Sequence, residues 1–176
     1  MWNRSRPTSG ILALSLLALG LLALTGCNYT FRAGSGLPAH VRTMAVVPFE
    51  NDTGRFELTD EVHRALMERL PGSFGVQAAG EGAADAVVRG TIRRYEDEAP
   101  LFRPGEEGRI DVIERQVSIV VHVEIVDVRE NVILWDASTL TARGEYLEAG
   151  ETEEIGREAA IDRLVQSIID GLQSDW

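Results

Sequence analysis

Residues 116–125 read Gln-Val-Ser-Ile-Val-Val-His-Val-Glu-Ile, and this stretch decides the fold. Valine or isoleucine occupies every second position, and four of the five remaining residues are polar. Such alternation indicates a β-strand with one covered face and one largely solvated face. Residues 129–131 then predict a turn, and residues 132–142, which include Trp135, predict the second arm of an antiparallel hairpin with about ten residues per arm. We expect this hairpin to be the stable centre of a sheet.

Two apolar runs upstream of the hairpin predict further strands. Residues 43–49 read Thr-Met-Ala-Val-Val-Pro-Phe, which is typical of a short buried strand with a proline near its end. Residues 85–92 read Asp-Ala-Val-Val-Arg-Gly-Thr-Ile and predict a second strand. The polar segment 93–111 contains two prolines, and we interpret it as a loop or a long hairpin tip.

Apolar residues at helical spacing predict two helices. The first stripe, which Pro71-Gly72 is expected to end, consists of Leu58, Val62, Ala65, Leu66 and Leu70. The second stripe follows an acidic first turn and consists of Ile161, Leu164, Val165, Ile168, Ile169 and Leu172. The order β-α-β-β-β-α predicts an α+β fold, a two-layer α/β sandwich with both helices on one face of a mixed four-stranded sheet. We assign residues 43–176 to this single domain.

The N-terminal segment is typical of a lipoprotein signal peptide. Two arginines precede an apolar run at residues 11–24, which is shorter than the roughly 20 residues that a transmembrane helix needs. The sequence Leu-Thr-Gly-Cys that ends at Cys27 resembles a bacterial lipobox, in which the cysteine receives a diacylglyceryl group. We predict that residues 1–26 are removed, that Cys27 carries acyl chains such as palmitate, and that residues 27–42 tether the domain to the membrane.

Composition excludes several classes of function. The chain has 17 basic and 28 acidic residues, a formal net charge of −11, which argues against a protein that neutralises nucleic-acid phosphates. Its single cysteine, Cys27, permits neither an intrachain disulfide nor a thiolate metal cluster. We therefore expect no nucleic-acid partner and no cofactor other than the covalent lipid.

The sequence contains no recognisable catalytic or metal-binding motif. There is no nucleophile elbow, phosphate loop or dinucleotide fingerprint, so we predict that the protein is not an enzyme. The three histidines, His40, His63 and His122, lack metal-ligand spacing. His122 and Glu124 share one strand face, where a weak two-ligand site is the alternative to an ordinary polar face. The acidic run 96–98 predicts a solvated edge rather than paired catalytic carboxylates.

Arginines are concentrated on and after the second predicted strand. They are Arg89, Arg93, Arg94, Arg103 and Arg109. Guanidinium groups bind phosphates through paired hydrogen bonds, although most arginines of an acidic protein pair with carboxylates. Both interpretations remain open at this point.

Short motifs in a fixed order along the mature chain resemble a known family. They begin with Cys27, Tyr29, Phe31, Gly34, Leu37 and Pro38, and continue with Phe-Glu-Asn-Asp-Thr at 49–53, Ala-Asp-Ala-Val-Val-Arg-Gly-Thr-Ile at 84–92, Leu-Trp at 134–135, Tyr146 and Glu-Ala-Ala at 158–160. In this order they resemble the LptE family of lipopolysaccharide-assembly lipoproteins. The resemblance implies a two-layer sandwich on the periplasmic side of the outer membrane that plugs the β-barrel LptD. It also implies assistance in delivering lipopolysaccharide to the outer leaflet, without catalysis.

A second family shares part of this pattern. Lipoproteins of the curli-secretion and cell-wall-synthase-activator type, similar to CsgG and LpoB, also carry Pro-Phe-x-Asn-x-Thr-Gly, and Gly54 matches them equally well. The Leu37-Pro38 lead-in and the short end after the second helix favour LptE. Within that interpretation, Arg93 and Arg94 are the candidate lipopolysaccharide contacts, because they leave the second strand at the mouth of the polar segment.

Overall fold

The antiparallel hairpin expected from the alternating stretch is the centre of the structure. A computed structural model describes residues 36–104 and 110–174 of the chain. Strands β4 (Ala86–Pro104), β5 (Ile110–Asp127) and β6 (Val132–Leu147) pair in sequence order as an antiparallel meander. The arms are far longer than the ten residues expected, and they form most of the sheet.

Short parallel strands extend the sheet on the β4 side. Strand β1 (Thr43–Val46) pairs with β4 and with β3 (Gln77–Ala78), while β2 (Glu50–Asn51) pairs with β4 further along. The strand order is β3-β1-β4-β5-β6, with β2 beside β4. The α+β class and the mixed sheet are confirmed, but the sheet has six strands rather than four. The two additional strands have two residues each, too few to produce a periodic signal.

Two helices, α1 (Glu57–Phe74) and α2 (Glu153–Ser174), pack on one face of the sheet. Their buried side chains belong to the same core cluster as those of the strands. Leu164 and Ile168 lie in the middle of the α2 stripe and are completely buried. The helix phases predicted from the apolar spacing are therefore confirmed. The buried stripe residues are Leu58, Val62, Leu66, Leu70, Ile161, Leu164, Val165, Ile168, Ile169 and Leu172.

Of the two interpretations of residues 93–111, the long hairpin tip is confirmed over the described residues and the loop is wrong. Strand β4 continues to Pro104 and β5 begins at Ile110, so within this segment only residues 105–109 lie outside the described chain. Register shifts after Ile92 and after Glu98 accommodate the irregular sequence. Pro100 falls in the second shift, where the ladder needs no donor. Beyond Ile92, β4 no longer pairs with β2, so one side of β4 is a sheet edge there. An edge strand tolerates proline because the missing amide has no partner to lose.

Two predicted element ends also differ from the structure. Helix α1 includes Pro71 and ends at Phe74, and the next residue, Gly75, has a left-handed φ of 65°. The Val76 amide donates to the Pro71 carbonyl and the Gly75 amide to the Gly72 carbonyl, and these two bonds close the end of the helix. Strand β1 ends before Pro48, which separates it from β2, so the predicted strand over 43–49 is too long.

Helix α2 approaches β6 most closely where two glycines face each other. A Cβ atom on Gly144 of β6 would lie 2.0 Å from the Gly156 carbonyl oxygen and 2.5 Å from the Ala160 amide nitrogen, both in α2. Neither glycine has the left-handed φ that would explain its presence by backbone conformation. The glycines are therefore required by the close packing of helix on strand.

Candidate functional site

The candidate arginines lie on the middle of a long strand rather than at its end. Both Arg93 and Arg94 belong to β4 and are exposed. The register shift between Ile92 and Arg94 leaves Arg93 unpaired in the ladder, as in a β-bulge, while Arg94 lies opposite Val120 of β5. The Arg94 Nε is 3.8 Å from Oε1 of Glu96, and Arg93 forms no ion pair within the described part of the chain.

The other arginines of the predicted group do not join this pair. Arg89 forms an ion pair with Glu124 on the neighbouring strand β5. Arg103 is close to the end of β4, and Arg109 lies outside the described residues. Among the described side chains of this group, Arg93 and Arg94 are exposed neighbours in the sequence of β4. Cys27, the predicted lipid attachment, also lies outside the described residues.

The face of the sheet opposite the helices is mainly polar on the long strands and carries a small apolar cluster, which includes Ala45 and Val87, at β1 and the start of β4. We call it the open face; it includes Arg89, Thr91, Arg94, Ser118, Val120, His122, Glu124, Asp136 and Thr141. His122 Nε2 lies 3.0 Å from Oδ1 of Asp136, whereas Glu124 is engaged by Arg89. The two residues considered as a weak metal site therefore form separate pairs with different partners.

A polar cluster joins the three long strands on the helix-covered side. The Asp97 carboxylate accepts hydrogen bonds from Arg115 at 3.1 and 2.8 Å and from the Tyr146 hydroxyl at 3.0 Å. Burial, followed by the Asp97 carboxylate, raises the pKa of Tyr146 above its usual value. One residue from each strand thus contributes to the cluster, which fixes the meander where it extends beyond the apolar core.

A second cluster joins this region of β4 to both helices. The Tyr95 hydroxyl donates to Glu153 at 2.5 Å, and Arg55 Nη2 lies 2.7 Å from the same carboxylate. The Arg55 guanidinium also stacks 5.2 Å from the centre of the Tyr95 ring. Burial, followed by Glu153, raises the pKa of Tyr95 well above its usual value.

Arg157 connects α2 to α1 through Glu61 at 2.8 Å. These groups hold one another and thus position the strand that carries Arg93 and Arg94.

A third polar group, which the sequence did not indicate, lies at the opposite end of β5. Asp127 is fully buried and accepts hydrogen bonds from the amides of Arg129 and Glu130 at 2.9 and 3.0 Å. His40 Nε2 lies 2.5 Å from its other oxygen. Burial acts to raise the pKa of Asp127, but the Glu130 amide and His40 outweigh it, so the net pKa is lowered.

The ligand geometry of this group resembles a cation site only in outline. Potential ligand atoms of His40, Asp127 and Glu130 lie within 4.8 Å of one another. Glu130, however, faces the second ring nitrogen of His40 at 3.9 Å, away from the nitrogen that contacts Asp127. Both Asp127 oxygens already have protein partners. We therefore interpret the group as a fastening between residue 40 and the β5–β6 turn.

The groove between the helices offers little for catalysis. It is an open depression of about 300 Å³ lined by side chains such as Glu61, Arg64, Glu154, Arg157 and Ile161. Its described lining contains no serine, cysteine or histidine. Arg157 is already held by Glu61.

Across the described residues, no helix has the length and apolar character needed to cross a membrane.

Comparison with known proteins gives one family and several structural neighbours. The family model for LptE, described as lipopolysaccharide-assembly, matches residues 41–175. No curated protein matches the chain in sequence. The structure of uncharacterized lipoprotein B from Nitrosomonas europaea is similar over 84% of this chain and 91% of that chain, at 15% identity and a TM-score of 0.55. A hypothetical protein from Chlamydia trachomatis is similar over 74% and 95%, at 15% identity and a TM-score of 0.53. At these identities the two likenesses concern the fold.

Proposed function

Because the chain belongs to the LptE lipopolysaccharide-assembly family, we propose that it is an outer-membrane lipoprotein that plugs the LptD barrel. In this role it assists delivery of lipopolysaccharide to the outer leaflet and catalyses no reaction. The observation that carries the proposal is the family match, which spans residues 41–175 and so includes both helices and every strand. The membrane attachment proposed is the covalent lipid on Cys27.

The charge and the surface of the domain support a plug. Removal of residues 1–26 would leave 15 arginines and 28 acids, a net charge of −13. The open face presents hydrogen-bonding and charged groups, which suit contact with a hydrated barrel lumen better than contact with lipid tails. An acidic plug needs a lumen that supplies arginine or lysine.

Affinity purification from detergent-solubilised outer membranes tests the partner. We expect the LptD barrel to co-purify with the protein, and we expect association of the separated components to slow as ionic strength rises, because salt screens the attraction of opposite charges. Recovery of a curli-type secretion ring or a peptidoglycan synthase would instead establish the CsgG- or LpoB-like alternative. Recovery of the barrel at a rate independent of salt would retain the partner but contradict the electrostatic argument.

Arg93 and Arg94 are the proposed contacts for lipopolysaccharide phosphates. The two residues are adjacent in β4 and exposed, and within the described residues only Arg94 forms an ion pair, with Glu96. Each exposed guanidinium–phosphate contact contributes up to about 1 kcal/mol, so reversing both charges should weaken binding of purified lipopolysaccharide roughly tenfold or more. Lipopolysaccharide delivery should fall, while LptD co-purification should persist.

The matched control reverses two exposed arginines elsewhere, Arg42→Glu with Arg64→Glu. This double variant has the same net charge as Arg93→Glu with Arg94→Glu, so it controls for general repulsion of an anionic ligand. If both double variants bound lipopolysaccharide equally weakly, the effect would be due to net charge and the assignment of Arg93 and Arg94 would be wrong.

A further inference from the structure

Three aliphatic side chains are exposed around the turn between β5 and β6. Val128 is 50% exposed, Val132 is 45% exposed and Ile133 is 59% exposed. The turn itself is held by the Asp127 carboxylate, which accepts the amides of Arg129 and Glu130. We call Val128, Val132 and Ile133 the turn patch. Its three members lie within six residues of one another on a fixed turn. Val132, opposite Asp127, and Ile133, opposite Val126, project to opposite faces of β6, so the apolar groups lie on both sides of the hairpin end.

The described chain begins at the same end of the domain. A Cβ atom on Gly36 would lie 2.6 Å from the Leu172 carbonyl oxygen, so Gly36 packs directly on the last turns of α2. Its φ of 58° is left-handed. Four residues later, His40 is bound to Asp127 next to the turn patch. Residues 36–40, where the described chain begins, are therefore held next to the turn patch.

The length of chain before Gly36 limits how far this end can lie from a lipid anchor. Only eight residues, 28–35, separate Cys27 from Gly36. Even when fully extended they span at most about 30 Å. By contrast, the exposed apolar residues Leu101, Ile113 and Leu147 lie at the opposite end of the strands, roughly 45 Å from the turn at about 3.3 Å per residue.

We propose that the turn patch docks on the lipid surface of the leaflet that holds the Cys27 acyl chains. The proposal rests on the proposed lipidation, which would keep the patch within reach of one leaflet. Aliphatic side chains of this kind insert at the boundary between headgroups and acyl chains. Arg129 and Glu130 beside them carry opposite charges, so neither a strongly anionic nor a cationic surface is required. Docking would hold this end of the domain at the membrane surface rather than leave the domain swinging on its tether.

Chemical tethering tests this docking independently of native acylation. The thiol of Cys27, which is unique in the chain, is coupled in the mature protein to a maleimide phospholipid in phosphatidylcholine vesicles. The reference sample is the same protein coupled to a small soluble maleimide. We expect amide hydrogen exchange at residues 128–133 to be about tenfold slower on vesicles, because burial of the patch suppresses local opening.

Two triple variants provide the comparison. Val128→Ser, Val132→Ser and Ile133→Ser together should abolish the slowing, whereas Leu101→Ser, Ile113→Ser and Leu147→Ser should preserve it. All six residues are exposed, so both variants should fold, which unchanged exchange in the core strands would verify. Equal exchange in the vesicle and soluble samples, or slowing at residues 98–101 instead, would overturn the docking.

Different results would overturn the acyl anchor on Cys27 and the docking of the turn patch. An unmodified Cys27 in the native protein would overturn the proposed anchor without changing the vesicle result, since the coupling there is chemical. A vesicle sample without protection would overturn the docking and leave the lipoprotein assignment unaffected. Slowing at the turn that required added LptD would identify a protein surface as the occupant and would also overturn lipid docking.

Discussion

Gly144→Ala is expected to destabilise the domain by at least about 3 kcal/mol, near the upper end of what overpacking costs. The new methyl group would lie 2.0 Å from the Gly156 carbonyl oxygen and 2.5 Å from the Ala160 amide nitrogen. Both atoms belong to the backbone of α2, which cannot turn aside as a side chain can. Relief requires moving the helix away from β6, and that would open the core around Leu164 and Val165.

Gly72→Ala is the matched control for this substitution. Gly72 lies within α1, and a Cβ atom there would meet nothing within 4 Å. Alanine is favoured over glycine in a helix by about 0.5–1 kcal/mol, so the same change should be neutral or stabilising at this position. Urea unfolding of the mature protein measures both. A Gly144→Ala midpoint equal to that of the unaltered protein would show that α2 and β6 are not packed as closely as described.

Local periodicity was sufficient to predict the central elements. The alternation in residues 116–125 places Val117, Ile119, Val121, Val123 and Ile125 on the helix-covered face, and all five are fully buried. The helical stripes likewise gave the buried faces of α1 and α2. In each case one side of the element faces the core and the other faces water, so the spacing of the apolar residues follows the repeat of the strand or helix and predicts its buried face.

The outer half of the long hairpin could not be predicted in this way. Its residues are polar and include Pro100, features that in isolation indicate a loop. What makes β4 a strand there is pairing with β5 and the cluster in which Asp97 receives Arg115 and Tyr146. Tyr146 follows Asp97 by 49 positions, and no local pattern reports a contact between residues so distant in the chain.

The same limit applies to the candidate site. The sequence predicts Arg93 and Arg94 at the end of a strand. In the structure they lie within β4, at the register shift that follows Ile92. The contact of His40 with Asp127 joins residues 87 positions apart, and neither residue belongs to a motif. The available but unused signal was an aspartate, Asp127, directly before a predicted turn, because such a carboxylate commonly accepts the turn amides.

Cys27→Ala is expected to remove the protein from its normal membrane location. Without the thiol no diacylglyceryl group can be attached, and a single apolar run of 14 residues is too short to replace it as a stable span. Two or more acyl chains give lasting attachment at about 0.8 kcal/mol per buried methylene, whereas one chain binds only marginally. Nearly all of the protein should therefore leave the outer-membrane fraction, while Thr30→Ala should not change its distribution. Fractionation with mass spectrometry of the mature N-terminus measures both effects.

The outcome also separates attachment from partner binding. A plug is held by the surface of its domain, which Cys27→Ala leaves intact, so the purified variant should still bind LptD in detergent. In cells its assembly should be slower if the proposed anchor is correct, because the lipid would confine the protein to the membrane of the proposed barrel partner and raise its effective concentration there. An unmodified Cys27 in the mature native protein would contradict the anchor. Loss of LptD binding by the variant in detergent would show instead that the lipid itself is part of the interface.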